Sequence, residues 1–250
     1  MTSEMVITSL DLPQEAKVEQ RIAKKLLIEN GAPTASDKRQ INDGIEELVW
    51  VAALKPNTVG VPEYRDTVRE VLEVAVLHLM LRNGAKATRI VELIHRAIPY
   101  PLFLVADIEG KVALSLATKR WAQNEGGKTV LDEEPLSVEV GDDSRSMSFL
   151  TALSLRKQKR QNLNEFYAGW KALFEAYLAS AYSGIFKPSF SLEESDRRRK
   201  ALYLANDIQR ELVVLRAKAE RETQMSRKVQ LNLDIKRLEQ DLIVATKEMA

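Results

Sequence analysis

Apolar positions mix helical spacing with strand-like runs through the first 140 residues or so, and keep to helical spacing after them. The first helix is expected from about Pro13 to Asn30. Ile22, Leu26 and Leu27 mark its apolar face, and Gly31 stands as C-cap. A second is expected in "SDKRQIND", with Ser36 as N-cap, Gln40 and Ile41 inside and Gly44 near the end. "ELVWVAALKP" reads as a strand that Pro56 stops. "EVLEVAVLHLMLR" is rich in valine, which favours a strand, but a buried helix closed by Gly84 fits the same pattern. "KATRIVELIHRAIP" is amphipathic, with Ile90, Val91, Leu93, Ile94 and Ala97 inward. In "YPLFLVADIEGKVALSLATKRW" two apolar strands flank a short turn containing Gly110. The order is α-α-β-β-α-β-β, followed by an acidic, irregular stretch.

The fold class expected is α+β: an N-terminal mixed domain at 1–144, a long helix at 145–184, and a C-terminal coiled-coil helix at 190–250. The long helix carries Phe166, Tyr167, Trp170, Phe174 and Tyr177 at helical spacing. After Pro188 no proline or glycine occurs, so one helix of about 58 residues is allowed, about 87 Å long at 1.5 Å per residue. It holds two heptad rows. One is Ile208, Leu212, Leu215 and Ala219. The other is Leu231, Ile235, Leu238, Leu242, Ala245 and Met249, read as an interface for a partner. Their registers differ across the polar "ERETQMSRK". That means a stutter in one helix or a turn between two antiparallel helices, and the absence of a turn residue favours one helix.

Composition narrows the chemistry. The chain has no cysteine, which excludes disulfides, thiolate metal sites and cysteine nucleophiles. The N-terminus lacks a signal-peptide pattern and no apolar run reaches a membrane span, so a cytoplasmic protein is expected. The net charge of +1 conceals an asymmetry. Residues 146–250 hold 19 Lys+Arg and 13 Asp+Glu, and the remainder 18 and 23. The basic clusters are "RKQKR" (Arg156, Lys157, Lys159, Arg160) and "RRRK" (Arg197, Arg198, Arg199, Lys200). Each reads either as a solvated helix face or as a phosphate contact. "SLEESD" offers a cap and ion-pair partners to the second cluster.

"DIEGK" places Asp107, Glu109 and Lys111 in the order a metal-dependent nuclease uses, yet in a hairpin turn, where such residues are common for conformational reasons. They are the only candidate catalytic residues. Alternation in the following strand puts Ala113, Ser115, Ala117 and Lys119 on one face and Val112, Leu114 and Leu116 on the other. The small face suits a packed helix. Its other reading is a shallow platform with Lys119 at the lip, and Arg120 on the opposite side. Of the two histidines, His78 is expected in the core. His95 is expected as a cation favoured by the dipole of its helix end. Two histidines so far apart, without cysteine, predict no metal site, and no nucleotide-binding or hydrolase motif predicts a cofactor.

"DKRQINDGIEELVWVAALKPNTVGVP", "IHRAIPYPLFLVAD", "LSLATKRWAQ" and "ERETQMSRKVQLNLDIKRLEQDL" together resemble a family of uncharacterised bacterial proteins classed only as a domain of unknown function. The resemblance covers about residues 13 to 245. It places Asp37, Lys38, Lys55, Asn57, Lys119 and Arg120 in the family's motifs and brings no catalytic residue. It implies a genomic setting beside helicases and DNA methyltransferases of restriction-type or phage-defence loci. The expectation is a non-enzymatic accessory or adaptor subunit of a bacterial DNA-acting complex. A helicase or DNA methyltransferase from the same locus would be its protein partner, with nucleic acid and a second copy as further partners. The alternative is a small metal-dependent nuclease or other phosphoryl-processing enzyme.

Overall fold

A computed structural model describes residues 1–123, 127–189 and 191–249. It divides into two compact units, Met1–Phe174 and Glu175–Ala250. The boundary falls inside a helix.

The first unit begins with α1 (Ser3–Ser9), capped by the Thr2 hydroxyl. It continues through β1 (Lys17–Arg21), α2 (Lys24–Gly31), α3 (Ala35–Gly44), β2 (Ile45–Leu54) and the single turn α4 (Pro56–Val59). A small hairpin, β3 (Tyr64–Arg65) and β4 (Glu70–Val71), leads into β5 (Val74–Leu81), α5 (Ala87–Ala97), β6 (Leu102–Ile108) and β7 (Lys111–Leu116). A second small hairpin, β8 (Lys119–Trp121) with β9 (Thr129–Leu131), precedes β10 (Leu136–Val140). Last come α6 (Ser144–Leu153) and α7 (Leu163–Ser183), whose first half closes the unit.

Six strands form the main sheet, in the order β1-β2-β5-β6-β7-β10. Among the described residues only β5 and β6 pair in parallel, and α5 makes the crossover that a parallel pair requires. The valine-rich run is thus a strand, β5, buried from Val74 to Leu77. One face of the sheet (Leu77, Leu79, Leu102, Leu104) packs on α2, α3 and α5 through Leu27, Ile41, Ile90, Leu93 and Ile94. Phe103 points the other way. It meets Trp170 at 4.7 Å and Phe174 at 5.8 Å between ring centres, and Phe149 of α6 joins them. Aromatic side chains therefore fill the second core.

Four expectations are corrected. The helix from Pro13 is a strand and then a helix. Residues Lys17–Arg21 are exposed throughout, so they offer no apolar stripe, and they pair with the edge of β2 through a bulge at Glu19, φ 52°. Gly31 is no left-handed cap. It is where α2 meets α5, and a Cβ there would lie 2.6 Å from the Leu93 carbonyl oxygen. The N-cap of α3 is Thr34, not Ser36. The helix expected at 145–184 is broken between Leu153 and Leu163. The Gln158 amide ties off the carbonyls of Ala152 and Ser154, and Asn162 restarts the chain by accepting the Glu165 N–H at 2.9 Å.

The second unit holds the rest of α7, then α8 (Leu192–Arg221) and α9 (Met225–Lys247). These are two antiparallel helices, not one long helix: Arg198 reaches the Met249 carbonyl, and Arg216 pairs with Glu239 at 2.8 Å. The turn needs no glycine because Glu222 and Gln224 are both extended, at φ −75° and −80°. The Glu222 carboxylate holds the turn by accepting the Gln224 N–H at 2.8 Å. Ala201, Leu202 and Ala205 of α8 pack on Ala245 and Met249. The C-terminal end of the second heptad row thus packs on α8 within one chain, with Leu231, Ile235, Leu238 and Leu242 half-buried.

Candidate functional site

The C-terminal edge of the parallel strands is where an α/β sheet most often presents its chemistry. Pairing of Met80 with Asp107 brings Asp107 diagonally next to His78. Its Oδ2 lies 2.6 Å from His78 Nε2 and accepts the Ser3 hydroxyl at 3.0 Å. Both side chains of the pair are partly open, 19% and 35% exposed. His78 is therefore not a core residue. It is an imidazole oriented by a carboxylate, on the same sheet face as Val49 and Arg21.

The other two nuclease candidates do not join Asp107. Glu109 and Gly110 both have positive φ, 49° and 81°, and this tight turn sends the three side chains apart. Glu109 accepts the Gly84 N–H at 3.0 Å, and Lys111 pairs with Glu139 at 3.0 Å. Among the described residues no three His, Asp or Glu side chains stand close enough to hold a metal ion.

Lys119 is not a basic lip. It is 5% exposed, and its ammonium donates to the carbonyls of His95 and Ile98, at the C-terminal end of α5. Helix termini leave such carbonyls without partners, and a lysine there also meets the negative end of the dipole. Burial pulls the ammonium down to about 7. His95 is no cation either. It is fully buried, shares a 2.9 Å hydrogen bond with Ser115 Oγ, and is held down to about 3 by burial and by Lys119. The small face of β7 meets α5 at Ser115, through its hydrogen bond with His95.

The basic clusters are divided among different tasks. Arg156 pairs with Asp11 at 3.0 Å, Lys159 lies 3.9 Å from Glu165, and Arg160 donates to the Val59 carbonyl, while Lys157 sits in a short 3-10 turn. Arg198 is buried, bound to Glu194 at 3.1 Å and to the Lys187 carbonyl at 2.9 Å. Arg199 pairs with Asp196 at 2.6 Å. Ser191 caps α8. Of "RRRK", Arg197 and Lys200 are exposed.

A family described as a domain of unknown function (DUF4391) matches residues 10–242, nearly the whole of the chain. The chain belongs to the DUF4391 family. No curated protein and no solved structure matches it.

Most of the residues expected in DUF4391 motifs hold the first unit together. The buried Asp37 forms a two-pronged pair with Arg89 at 2.8 and 3.0 Å, and this, with the Thr34 hydroxyl, holds its carboxyl down to about 2. Lys55 pairs with the buried Glu73 at 3.1 Å. Arg120 lies 3.4 Å from Asp132. Lys38 and Asn57 are exposed. Sequence reasoning missed Arg89, although the spacing of Arg89, Glu92 and Arg96 on one helix face was a signal for its ion pairs. It also missed Ser3, which no motif marks.

Proposed function

We propose that this DUF4391 chain is a non-enzymatic accessory subunit that docks a protein partner through the outer face of α9. One observation carries the reading: α9 is apolar on two opposite sides. At 100° per residue, Met225, Val229, Leu233 and Ile243 fall within about 80° of one another, opposite Leu231, Leu238 and Ala245. The inner side is taken by α8. On the outer side Val229 and Leu233 are 51% and 57% exposed. A helix with two apolar faces suits the middle of a bundle, so a further helix in coiled-coil fashion completes it.

Charge selects the partner. Lys236, Gln240 and Lys247 share the outer face, and no carboxylate does. Two copies would set lysine against lysine, whereas a helix with carboxylates beside its apolar row is complementary. The partner we favour is a helicase or DNA methyltransferase of the same locus, within an anti-phage defence or restriction-modification-like complex. Co-purification with the neighbouring genes' products, with light scattering, tests this. The expected result is a defined complex that Val229→Glu with Leu233→Glu abolishes while far-UV circular dichroism stays unchanged. A strict monomer that binds no neighbour would sink the idea.

A phosphoryl-processing enzyme is the second reading, favoured by one contact, the 2.6 Å pairing of His78 with Asp107. Plasmid cleavage with magnesium or manganese, lost in Asp107→Ala, would support it. Intact plasmid at high protein concentration removes it.

A further inference from the structure

The turn between α8 and α9 gathers cations that the two helices do not use. Five Lys and Arg fall between Arg216 and Lys228, against two carboxylates, Glu220 and Glu222. Arg216 is paired with Glu239. Among the described residues Lys218, Arg221, Arg227 and Lys228 have no carboxylate within ion-pair distance. Three of the four, Lys218, Arg221 and Arg227, line one concavity of about 480 Å³, together with Gln230 and Leu231. Glu222 is the single carboxylate on its wall, and it is engaged with the Gln224 N–H.

Helix stability accounts for only half of this arrangement. Lys218 and Arg221 lie in the last turn of α8, where cations complement the dipole. Arg227 lies in the first turn of α9 and Lys228 directly after it. A cation is disfavoured there, and the first turn holds no acidic residue to offset it. Residues that break a local rule without a compensating contact mark functional positions. Three basic residues line one open concavity, and a fourth, Lys228, follows Arg227 in the chain.

We infer that the tip of the α8–α9 hairpin binds the phosphate backbone of a nucleic acid, through Lys218, Arg221, Arg227 and Lys228. The site takes repeated phosphates, because its cations spread over the ends of two helices and do not enclose one small ligand. It stands apart from the outer face of α9, so either reading can fail while the other holds.

The experiment is fluorescence anisotropy of the full chain with a labelled 20-base-pair duplex, and with its single strand in a parallel arm to distinguish the two forms. Salt is stepped from 50 to 200 mM. With four phosphates neutralised, log K should fall against log salt with a slope of about −3.6 for the duplex and about −2.8 for the single strand. Replacing all four residues by Gln should weaken binding at least tenfold and flatten the slope, while Arg197→Gln with Lys200→Gln leaves both unchanged. A second measurement does not depend on variants folding. Bound nucleic acid should shield Lys218 and Lys228 of the unaltered protein from an acylating reagent. Three results overturn the inference: no binding to either form at 50 mM salt, equal protection with and without nucleic acid, or polyglutamate displacing the nucleic acid at equal charge concentration.

Discussion

The ammonium of Lys119 caps the backbone carbonyl of His95 inside the protein, so a strand end and a helix end are joined by one buried cation. Its ordinary value of 10.5 falls to about 7 in the fold. Between those values the unfolded chain holds a proton that the folded chain has released, so stability rises with pH across that window. Thermal melts from pH 7 to 10 should show this rise in the unaltered protein and lose it in Lys119→Met. Lys119→Ala, which leaves two buried carbonyls without a donor, should cost about 1–3 kcal/mol for each.

His95 predicts the opposite end of the pH scale. Its folded value of about 3 lies below the ordinary 6.5. Its contribution is complete above 6.5 and is lost as pH falls toward 3, because the unfolded chain takes up the proton first. Denaturant titrations at pH 6.5, 5 and 4 should show a decline that His95→Gln reduces.

Gly31 has no room for a methyl group. Its Cβ would sit 2.6 Å from the Leu93 oxygen and 2.7 Å from the Ala97 Cβ. Gly31→Ala should push α2 off α5 and cost about 1–3 kcal/mol, read as a lower urea midpoint. Gly84→Ala is the control. Nothing lies within 4 Å of its Cβ, and any loss comes from its positive φ of 75° alone.

Trp170 is fully buried between Phe103 and Phe166, at 4.7 Å from each, and its indole N–H donates to the Leu153 carbonyl at 2.9 Å. Trp170→Ala should cost about 3–5 kcal/mol. Trp170→Phe keeps most of the apolar contact and strands the carbonyl, so its loss should be smaller.

Periodicity made the α+β class, β2, the inward face of α5 and the β6–β7 hairpin legible in the sequence. All are elements whose burial pattern repeats along several residues. The misses have physical causes. β1 is exposed along its length, so it leaves no apolar trace and exists through its pairing with β2. The break before α7 was written in Asn162 and Glu165, a capping pair hidden within a polar run. The turn after α8 escaped because its residues need no positive φ, and glycine and proline are the only turn signals that a sequence displays plainly. At the sites, Lys119 reads as the end of the strand that is β7, whereas it begins β8 in a separate two-stranded sheet. Its burial depends on how closely α5 approaches, which no local pattern encodes.

All three tryptophans, Trp50, Trp121 and Trp170, lie before the unit boundary at Phe174, while α8 and α9 supply much of the helix beyond it. Each unit therefore carries its own spectroscopic signature. Indole emission follows the sheet unit alone, whereas the far-ultraviolet helix signal is shared. Any offset between the two melting curves measures directly how independently the hairpin unfolds.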